Sequence, residues 1–455
     1  MKMKPAPFLA AIGALAIGQA ALQQGMIFPK WNKDYNTQQQ GDYSGLSPDQ
    51  LLASLTGFRE LVAGILWVQA DSYFDNGNYD AVLPLVRLVT LLDPKQIDVY
   101  ATGTWHMAYN FTDEESRSDR RYIPSALALV KEGARNNSET YELFFETGWL
   151  WYHKIDDDYG QAVKEMETAN SKKDMIPARR NLLNVIYQRD GQVDQARKYL
   201  HSLLDRATKD MKDRPHDIMA RSNRDTIEAN LDSLVMRMTQ RGYFAQQRKD
   251  GTFESGSYDT RPPFDVNFGA KVTVVSNKVL QVEGNWGVQS VGTRVRIVLK
   301  DSDYPNSVPG GMDWDAGTAV QLDPPKGITF MQDQLFVRDQ RFNRKIDMSR
   351  DPRMYPFAKK NYVIEFYYNP RSGAHHMQDR FGWSGEGMTD KRFLNEEIRE
   401  GQRVIFARLE ISKDQITRTG EWSRKTPVLR TPGYQDRGAA VGDGAIIKLP
   451  GLAGD

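Results

Sequence analysis

The sequence contains no cysteine. Disulfides, thiolate metal sites and cysteine nucleophiles are therefore excluded, and the absence fits an exported chain that avoids stray thiols. It also lacks an excess of either charge: 60 Lys and Arg stand against 59 Asp and Glu, a formal net charge of +1. No long-range field marks it for nucleic acid or an anionic membrane surface. Catalytic signatures are missing too, with no G-x-S-x-G, no Walker A loop and no H-E-x-x-H. The remaining clusters of titratable groups are weak. His375, His376 and Asp379 in "HHMQD" include adjacent histidines that would diverge on a strand and more readily sit in a loop. "DSDYPNSVPGGMDWD" (301–315) lacks the EF-hand order and has Pro305 at the third ligand position. "DDD" at 156–158 reads as a solvated turn, and Glu396–Glu397 carries no spacing information, because catalytic distance is set by the fold. The expectation is a non-enzymatic protein without metal, cofactor or small-molecule substrate.

Long apolar runs are scarce after the N-terminus, where one stands out. Lys2 and Lys4 precede Ala6–Phe28, which carries no charge and exceeds the roughly 20 residues a helix needs to cross a bilayer. Ala10, Ala14 and Gly18 share one smooth face suited to close helix packing. The lysines favour a cytoplasmic N-terminus, although Lys30 and Lys33 blunt that bias. The run therefore predicts a single-pass cell-membrane protein, inserted through residues 6–28, with its bulk on the periplasmic or extracytoplasmic side. The alternative is a signal peptide, with Gly18 and Ala20 supplying the small residues needed before cleavage at Ala21.

The next segment repeats itself. In "YFDNGNYDAVLPLVRLVTLLDP" (73–94) Gly77 follows Tyr73 by four residues, and in "YQRDGQVDQARKYLHSLL" Gly191 follows Tyr187 by four. Ala196 and Leu200 match Val82 and Val86. Ala162, with Met166 and Ala169, lies 34 positions before Ala196; Ala126, with Val130 and Gly133, lies 36 before Ala162. The longer gap between Val82 and Ala126 holds the polar run "TDEESRSDRR" (112–121), read as an inserted loop.

Over roughly Gly57–Arg206 this pattern resembles the tetratricopeptide repeat, a pair of antiparallel helices recurring every 34 residues. The second copy is irregular and the third is two residues longer between its helices. In each copy a small residue (Ala70, Ala126, Ala162, Ala196) admits a neighbouring helix, with Tyr73, Trp151 and Tyr187 filling the space beside them. Gly77 and Gly191 take the turns, and Pro94 stops a helix. A hairpin alone cannot bury its apolar face, so the units must stack into a curved solenoid. Ile227, Leu231, Leu234 and Met238 mark a closing amphipathic helix. The resemblance implies a groove that holds a polypeptide. Its register assigns to that groove Trp67, Asp71 and Phe74, then Phe145, Trp149 and Tyr152, and finally Asn181, Val185, Gln188 and Arg189. Phe144 and Trp151 would point into the core. The alternative is that the β-rich half or the inserted loop covers the aromatics as internal core.

After residue 263 the period changes from helical to alternating. "KVTVV" (271–275), "KVLQVEG" (278–284), "RVRIVL" (294–299), "LFVR" (335–338), "NYVIEFYY" (361–368) and "RVIFARLEI" (403–411) read as strands with no helices between them. They predict an antiparallel β-sandwich resembling, in architecture only, an immunoglobulin or fibronectin type III module. The expected organisation is multidomain, α then β. It comprises an N-terminal hydrophobic helix or uncleaved signal segment at 1–28 and a juxtamembrane linker at 29–56. An α-solenoid with a capping helix follows at 57–245, then a linker at 246–263, the sandwich at 264–430 and a tail at 431–455. The leading functional expectation is a membrane-tethered scaffold or adaptor that binds other protein subunits, itself included. A self-assembling surface filament and a glycan-binding envelope protein using Trp314, Trp383 and Trp422 stand as alternatives.

The anchor and signal readings differ in one measurable product. An anchor leaves the mature chain beginning at its own N-terminus, whereas signal cleavage yields a chain beginning at Ala21; intact-mass spectrometry of the membrane-extracted protein separates them.

Overall fold

The structure is a computed structural model describing residues 58–112, 120–155, 158–240, 265–287, 293–304, 327–350, 352, 355–374, 377–378 and 381–434. The apolar run 6–28, the linkers 29–56 and 246–263, most of the inserted loop, Asp156–Asp157, Trp314, the His375–His376–Asp379 cluster and residues 435–455 lie outside the described residues. Among the described residues no helix is long and apolar enough to cross a membrane. The chain divides into two compact units, residues 1–99 and 100–455.

The first unit contains a helical hairpin, α1 (Arg59–Asp75) and α2 (Tyr79–Leu92). Ala63 and Ala70 are buried on α1, facing Val82, Val86 and Val89 of α2 as the core of the pair. The Arg59 guanidinium donates to the Leu91 carbonyl at 3.1 Å. Helix α2 stops two residues before Pro94, since the residue ahead of a proline is pushed out of the α region.

Helix α3 (Ile97–Trp105) starts at the end of the first unit and in the second runs on as a π-helical turn, His106–Asn110. A short 3₁₀ turn, Arg120–Tyr122, leads into α4 (Ile123–Asn136). Helix α5 (Glu142–Leu150) also continues as a π turn, Trp151–Ile155, and is followed by α6 (Tyr159–Ser171), capped by the Asp158 carboxylate. The short α7 (Pro177–Arg180), α8 (Leu182–Arg189), α9 (Val193–Asp213) and α10 (Ile218–Gln240) complete the series. From α4 each helix packs on its successor, except that α6 passes over the short α7 to reach α8. The expected close-approach residues Ala126, Ala162 and Ala196 have no exposed surface, and Trp151 and Tyr187 are buried beside them. Ile227, Leu231, Leu234 and Met238 are buried on α10, which closes the stack. The second and third repeats share one feature: α3 and α5 each end in a π turn, with bonds from i to i+5 such as Phe111 N–H to the His106 carbonyl at 2.9 Å, which absorbs an extra residue without breaking the helix.

The β-rich region has nine strands among the described residues: β1 (Gly269–Ser276), β2 (Val279–Asn285), β3 (Arg294–Asp301), β4 (Phe330–Phe336), β5 (Arg341–Asp347), β6 (Asn361–Tyr368), β7 (Leu394–Asn395), β8 (Val404–Ser412) and β9 (Val428–Arg430). They form two antiparallel sheets, in the orders β5-β2-β1-β9 and β4-β3-β6-β8-β7. Val272, Val274, Leu280 and Val282 of the first sheet join Ile297, Leu299, Ile364, Phe366 and Ile405 of the second in one apolar cluster, with Phe268 and Trp286 fully buried in it. Two readings from the alternation need correction. "LFVR" straddles the end of β4, while β5, β7 and β9 are absent from the expected set. β5, "RFNRKID", is an edge strand whose apolar Phe342 and Ile346 are diluted by charge. After the last expected strand comes a short helix, α11 (Lys413–Thr417), started by a reciprocal capping box between Ser412 and Gln415. Thr431, counted with the tail, is instead pinned to β1: its N–H donates to the Ala270 carbonyl at 2.9 Å, and its hydroxyl accepts from the Ala270 N–H.

Strands β3 and β6 are buried on both faces. Beyond the shared core, Arg296, Val298 and Lys300 on β3 and Val363, Glu365 and Tyr367 on β6 are each at most 4 % exposed. Lys300 Nζ and a Glu365 carboxylate oxygen pair at 2.9 Å within this layer. Part of the cover is helical. Arg296 donates to the Ile155 carbonyl, while Arg120 donates to the Lys154 carbonyl at 2.9 Å and to Gln332 Oε1 at 3.1 Å.

The two repeat glycines offer a quantitative check. Gly77 and Gly191 have φ of 71° and 76°. Each closes its helix by the same pair of bonds: Gly77 N–H to Phe74 O and Asn78 N–H to Tyr73 O, and Gly191 N–H to Gln188 O and Gln192 N–H to Tyr187 O. A Cβ on Gly77 meets open space, whereas one on Gly191 would lie 2.5 Å from the Arg371 guanidinium. Gly77→Ala should cost about 1 kcal/mol from the left-handed backbone alone, and Gly191→Ala more, because Arg371 must also move. Urea unfolding of the two variants measures the difference.

Candidate functional site

The end of α3 and the whole of α5 carry aromatic side chains at i, i+4 spacing: Trp105 and Tyr109 on one, Phe145, Trp149 and His153 on the other. Helical periodicity puts each set on one face, and the packed helices align them into a single ladder. Phe145 and Trp149 stack at a centroid distance of 6.4 Å, Trp149 and His153 at 5.3 Å, His153 and Tyr109 at 5.6 Å, and Tyr109 and Trp105 at 4.4 Å. No adjacent pair is tilted by more than 26°. Tyr152 leans on Trp149 at 5.5 Å. The Trp105 indole N–H donates to the Glu146 carboxylate at 2.9 Å and closes the ladder back onto α5. Arg179 stacks over Phe145 at 4.4 Å, with its Nη1 3.9 Å from Glu146, and Lys154 lies 4.5 Å from the Tyr109 ring centre. The ladder is accessible along its side: Trp105 is 39 % exposed, His153 is exposed, and Trp149 and Tyr152 are half-buried.

Burial raises the Glu146 carboxyl above its ordinary range; the Trp105 hydrogen bond and Arg179 oppose this only in part. Burial likewise pushes the Tyr109 hydroxyl up, with the Glu146 charge adding to it. That hydroxyl finds no hydrogen-bond partner among the described residues. The cluster thus holds stacked rings, a buried carboxyl and two cations. It can bind by stacking and hydrogen bonding, and it contains no nucleophile set against a base.

The expected groove residues fare unequally. Trp149 and Tyr152 are half-buried on the ladder, but Phe145 is only 6 % exposed. It lies beneath Arg179, because α5 is flanked on that side as well as on its core side. Phe144, expected inside, is the half-buried one, under the Lys172 ammonium at 5.0 Å. Trp67 and Phe74 are half-buried on α1, with Asp71 exposed. Asn181 and Val185 are half-buried near α8, where Asn184 donates to the Asn181 carbonyl and Gln188 to Asn184.

Gln188 and Arg189 are engaged within the chain. Arg189 Nη1 donates to the carbonyls of Arg371, at 2.7 Å, and Gly373. Arg237 donates to Gln188 Oε1 at 3.0 Å and covers the Trp383 ring at 5.4 Å. Arg371 in turn lies 3.7 Å from Asp190 and donates to Ser384 Oγ at 3.2 Å. This seam corrects two readings at once: part of the groove is filled by the β-rich region, and Trp383, offered for glycans, is 8 % exposed beneath Arg237. Trp422 is half-buried, with Lys425 over its ring. No three His, Asp or Glu side chains among the described residues gather to hold a metal.

Trp105, Tyr109, His153, Glu146 and Arg179 lie outside the expected groove set. A signal for the first three exists in the repeated W-x-x-x-aromatic spacing of "WHMAY" and "WLWYH". Nothing in the sequence marks Glu146 or Arg179 as their partners.

No known protein family and no curated protein matches this chain. Among solved structures it is similar to MamA protein, at 13 % identity and a TM-score of 0.26, covering 41 % of this chain and 96 % of that one. It is also similar to TTC0263, a thermophilic TPR protein in Thermus thermophilus, at 16 % identity and a TM-score of 0.25, covering 50 % and 98 % respectively. Likenesses this distant add nothing to what the helical hairpins display by themselves.

The raised Glu146 carboxyl has a sign that can be measured. The native state holds this proton at pH values where the unfolded chain has lost it, so the group's contribution to stability falls as pH rises above about 4.5, the ordinary value. Glu146→Gln keeps an acceptor for Trp105 and removes the titration. Its melting temperature should therefore decline less than the parent's between pH 4.5 and 7, followed by circular dichroism.

Proposed function

We propose that this protein is a non-enzymatic scaffold that captures another polypeptide on the aromatic ladder of its tetratricopeptide-like helices. The observation carrying this reading is the side access to Trp105, His153, Trp149 and Tyr152 along a ladder of five near-parallel rings, Phe145–Trp149–His153–Tyr109–Trp105. Aromatic side chains give large contact area for little conformational entropy and dominate interface energetics. Arg179 and Lys154 supply cations beside the rings. Because Gln188 and Arg189 are spent on the seam, the α3–α5 half of the solenoid remains for the partner.

The β-rich region fits an immunoglobulin- or fibronectin type III-like sandwich. β1, β2 and β5 lie in one sheet and β3, β4, β6 and β8 in the other. Tyr362, at the start of β6, turns its hydroxyl back to donate to the Lys359 carbonyl at 3.1 Å, the bond of a tyrosine corner. In this reading residues 6–28 tether the scaffold to the cell membrane, with the helices and sheets on the extracytoplasmic side of a larger assembly. The uncharged run and its lysine flanks support that arrangement.

Purification of the full chain from its native membrane fraction in mild detergent should co-elute defined partner chains. Tyr152→Ala combined with His153→Ala should release them at a stability cost of about 1–3 kcal/mol for the lost ring pairs, with helical circular dichroism and cooperative melting retained. Partners that stay bound to a normally folded double variant would overturn the ladder as the capture site.

A further inference from the structure

Strand alternation gathers a set of polar side chains at one end of the second sheet. Arg294 and Arg296 leave the same face of β3 about 7 Å apart. Strand register sets Gln334 of β4 and Tyr367 of β6 on either side of Arg296. Two residues beyond Tyr367 comes Asn369, and Ser372 closes the 3₁₀ turn Pro370–Ser372 that follows. These six residues line an open cleft of about 220 Å³. Two of them carry a full positive charge, and among the described residues the lining includes no carboxylate.

The floor of the cleft is buried and held in place. Arg296, Tyr367 and Asn369 are each at most 4 % exposed. The Arg296 guanidinium donates to the Ile155 carbonyl and lies 5.7 Å from the Tyr367 ring centre. Asn369 Oδ1 accepts from the Arg371 N–H at 3.0 Å, and Ser372 spends its hydroxyl proton on the Asn369 carbonyl at 2.7 Å. Arg294 is exposed at the mouth, its guanidinium 5.3 Å from the Phe336 ring centre. Nearby carboxylates are engaged elsewhere. Glu365, opposite Val298 on the same face, pairs with Lys300 at 2.9 Å, and Asp333 accepts from Arg344 at 2.8 Å. A third guanidinium, Arg120, reaches this face through Gln332.

We propose that this cleft binds one small oxyanion, a phosphate or carboxylate group, between Arg294 and Arg296. Its volume falls below the roughly 300–1,000 Å³ of sites for drug-sized ligands, so the occupant is a group of a few heavy atoms. The lining is polar and cationic, which selects a charged group over an apolar one. Guanidinium forks match the geometry of carboxylate and phosphate oxygens. Two like charges on one strand face repel, and an anion set between them turns that repulsion into attraction. The Tyr367 hydroxyl and the Asn369 NH2 are the neutral donors at its floor. The cleft uses no residue of the aromatic ladder, so partner capture and anion binding stand or fall separately.

Isothermal titration calorimetry of the full chain, in mild detergent at low ionic strength, tests this with inorganic phosphate and with acetate. At least one of the two should bind at one site per chain at millimolar concentration or below. Arg294→Gln should weaken that binding at least about tenfold, and Arg294→Lys, which keeps the charge without the fork, should recover part of it. Lys345→Gln, which removes an exposed cation from β5, should leave it unchanged. Tighter binding of phosphate than of acetate assigns a phosphoryl group to the cleft, and the reverse order a carboxylate. Absence of binding by both anions overturns the site. Equal weakening by Arg294→Gln and Lys345→Gln also overturns it, because general charge attraction would then account for the binding.

Discussion

A helix that ends inside a protein leaves carbonyl oxygens that need donors, and the seam of this structure is organised around that need. The π turn closing α5 presents the carbonyls of Lys154 and Ile155 to two guanidiniums, Arg120 from the turn before α4 and Arg296 from β3. A second set reverses the roles, with Arg189 at the end of α8 reaching the Arg371 and Gly373 carbonyls on the β side. Cations at helix C-termini also meet the negative end of the helix dipole. The planar five-donor fork of arginine can serve a carbonyl and a second acceptor together, as Arg120 does with Gln332. These contacts dictate what else the two halves can do. They cover the outer face of β3, spend Gln188 and Arg189, and leave the aromatic rungs of α3 and α5 approachable.

Much of the helical architecture was legible because it repeats. Ala126, Ala162 and Ala196, and the Tyr-x-x-x-Gly pairs at 73–77 and 187–191, are fixed by local geometry: a close helix approach and a left-handed turn. Such constraints are written within a few residues of where they act. The strands were legible where β-branched residues alternate, as in β1 and β8, and not where charge interrupts them, as in β5. β3 and β6 illustrate a further limit. Their outer residues include Arg296, Lys300 and Glu365, which local pattern assigns to water, yet a layer from elsewhere in the chain buries them.

The site was half legible for the same reason. Trp149 and Tyr152 could be assigned from helical register, which is local. Phe145 could not be excluded, because its cover is Arg179, from the next repeat. Nor could the sequence reveal that Trp105 and Tyr109 complete the ladder, since this requires two π turns to bring α3 and α5 into matching rotation. The carboxyl of Glu146 becomes significant only once Trp105 and Arg179 have closed over it.

The doubly buried strands constrain how such a protein can arise. A sheet with one wet face can be inherited as a cassette and recombined onto unrelated neighbours. Here Arg296 on β3 is buried with the Ile155 carbonyl as its acceptor, and Gln332 on β4 accepts from Arg120, so the sheet parted from the helices would lose both partners. The β-rich half thus presents a face shaped for its helical neighbour, and a transplanted copy would need new partners for those groups.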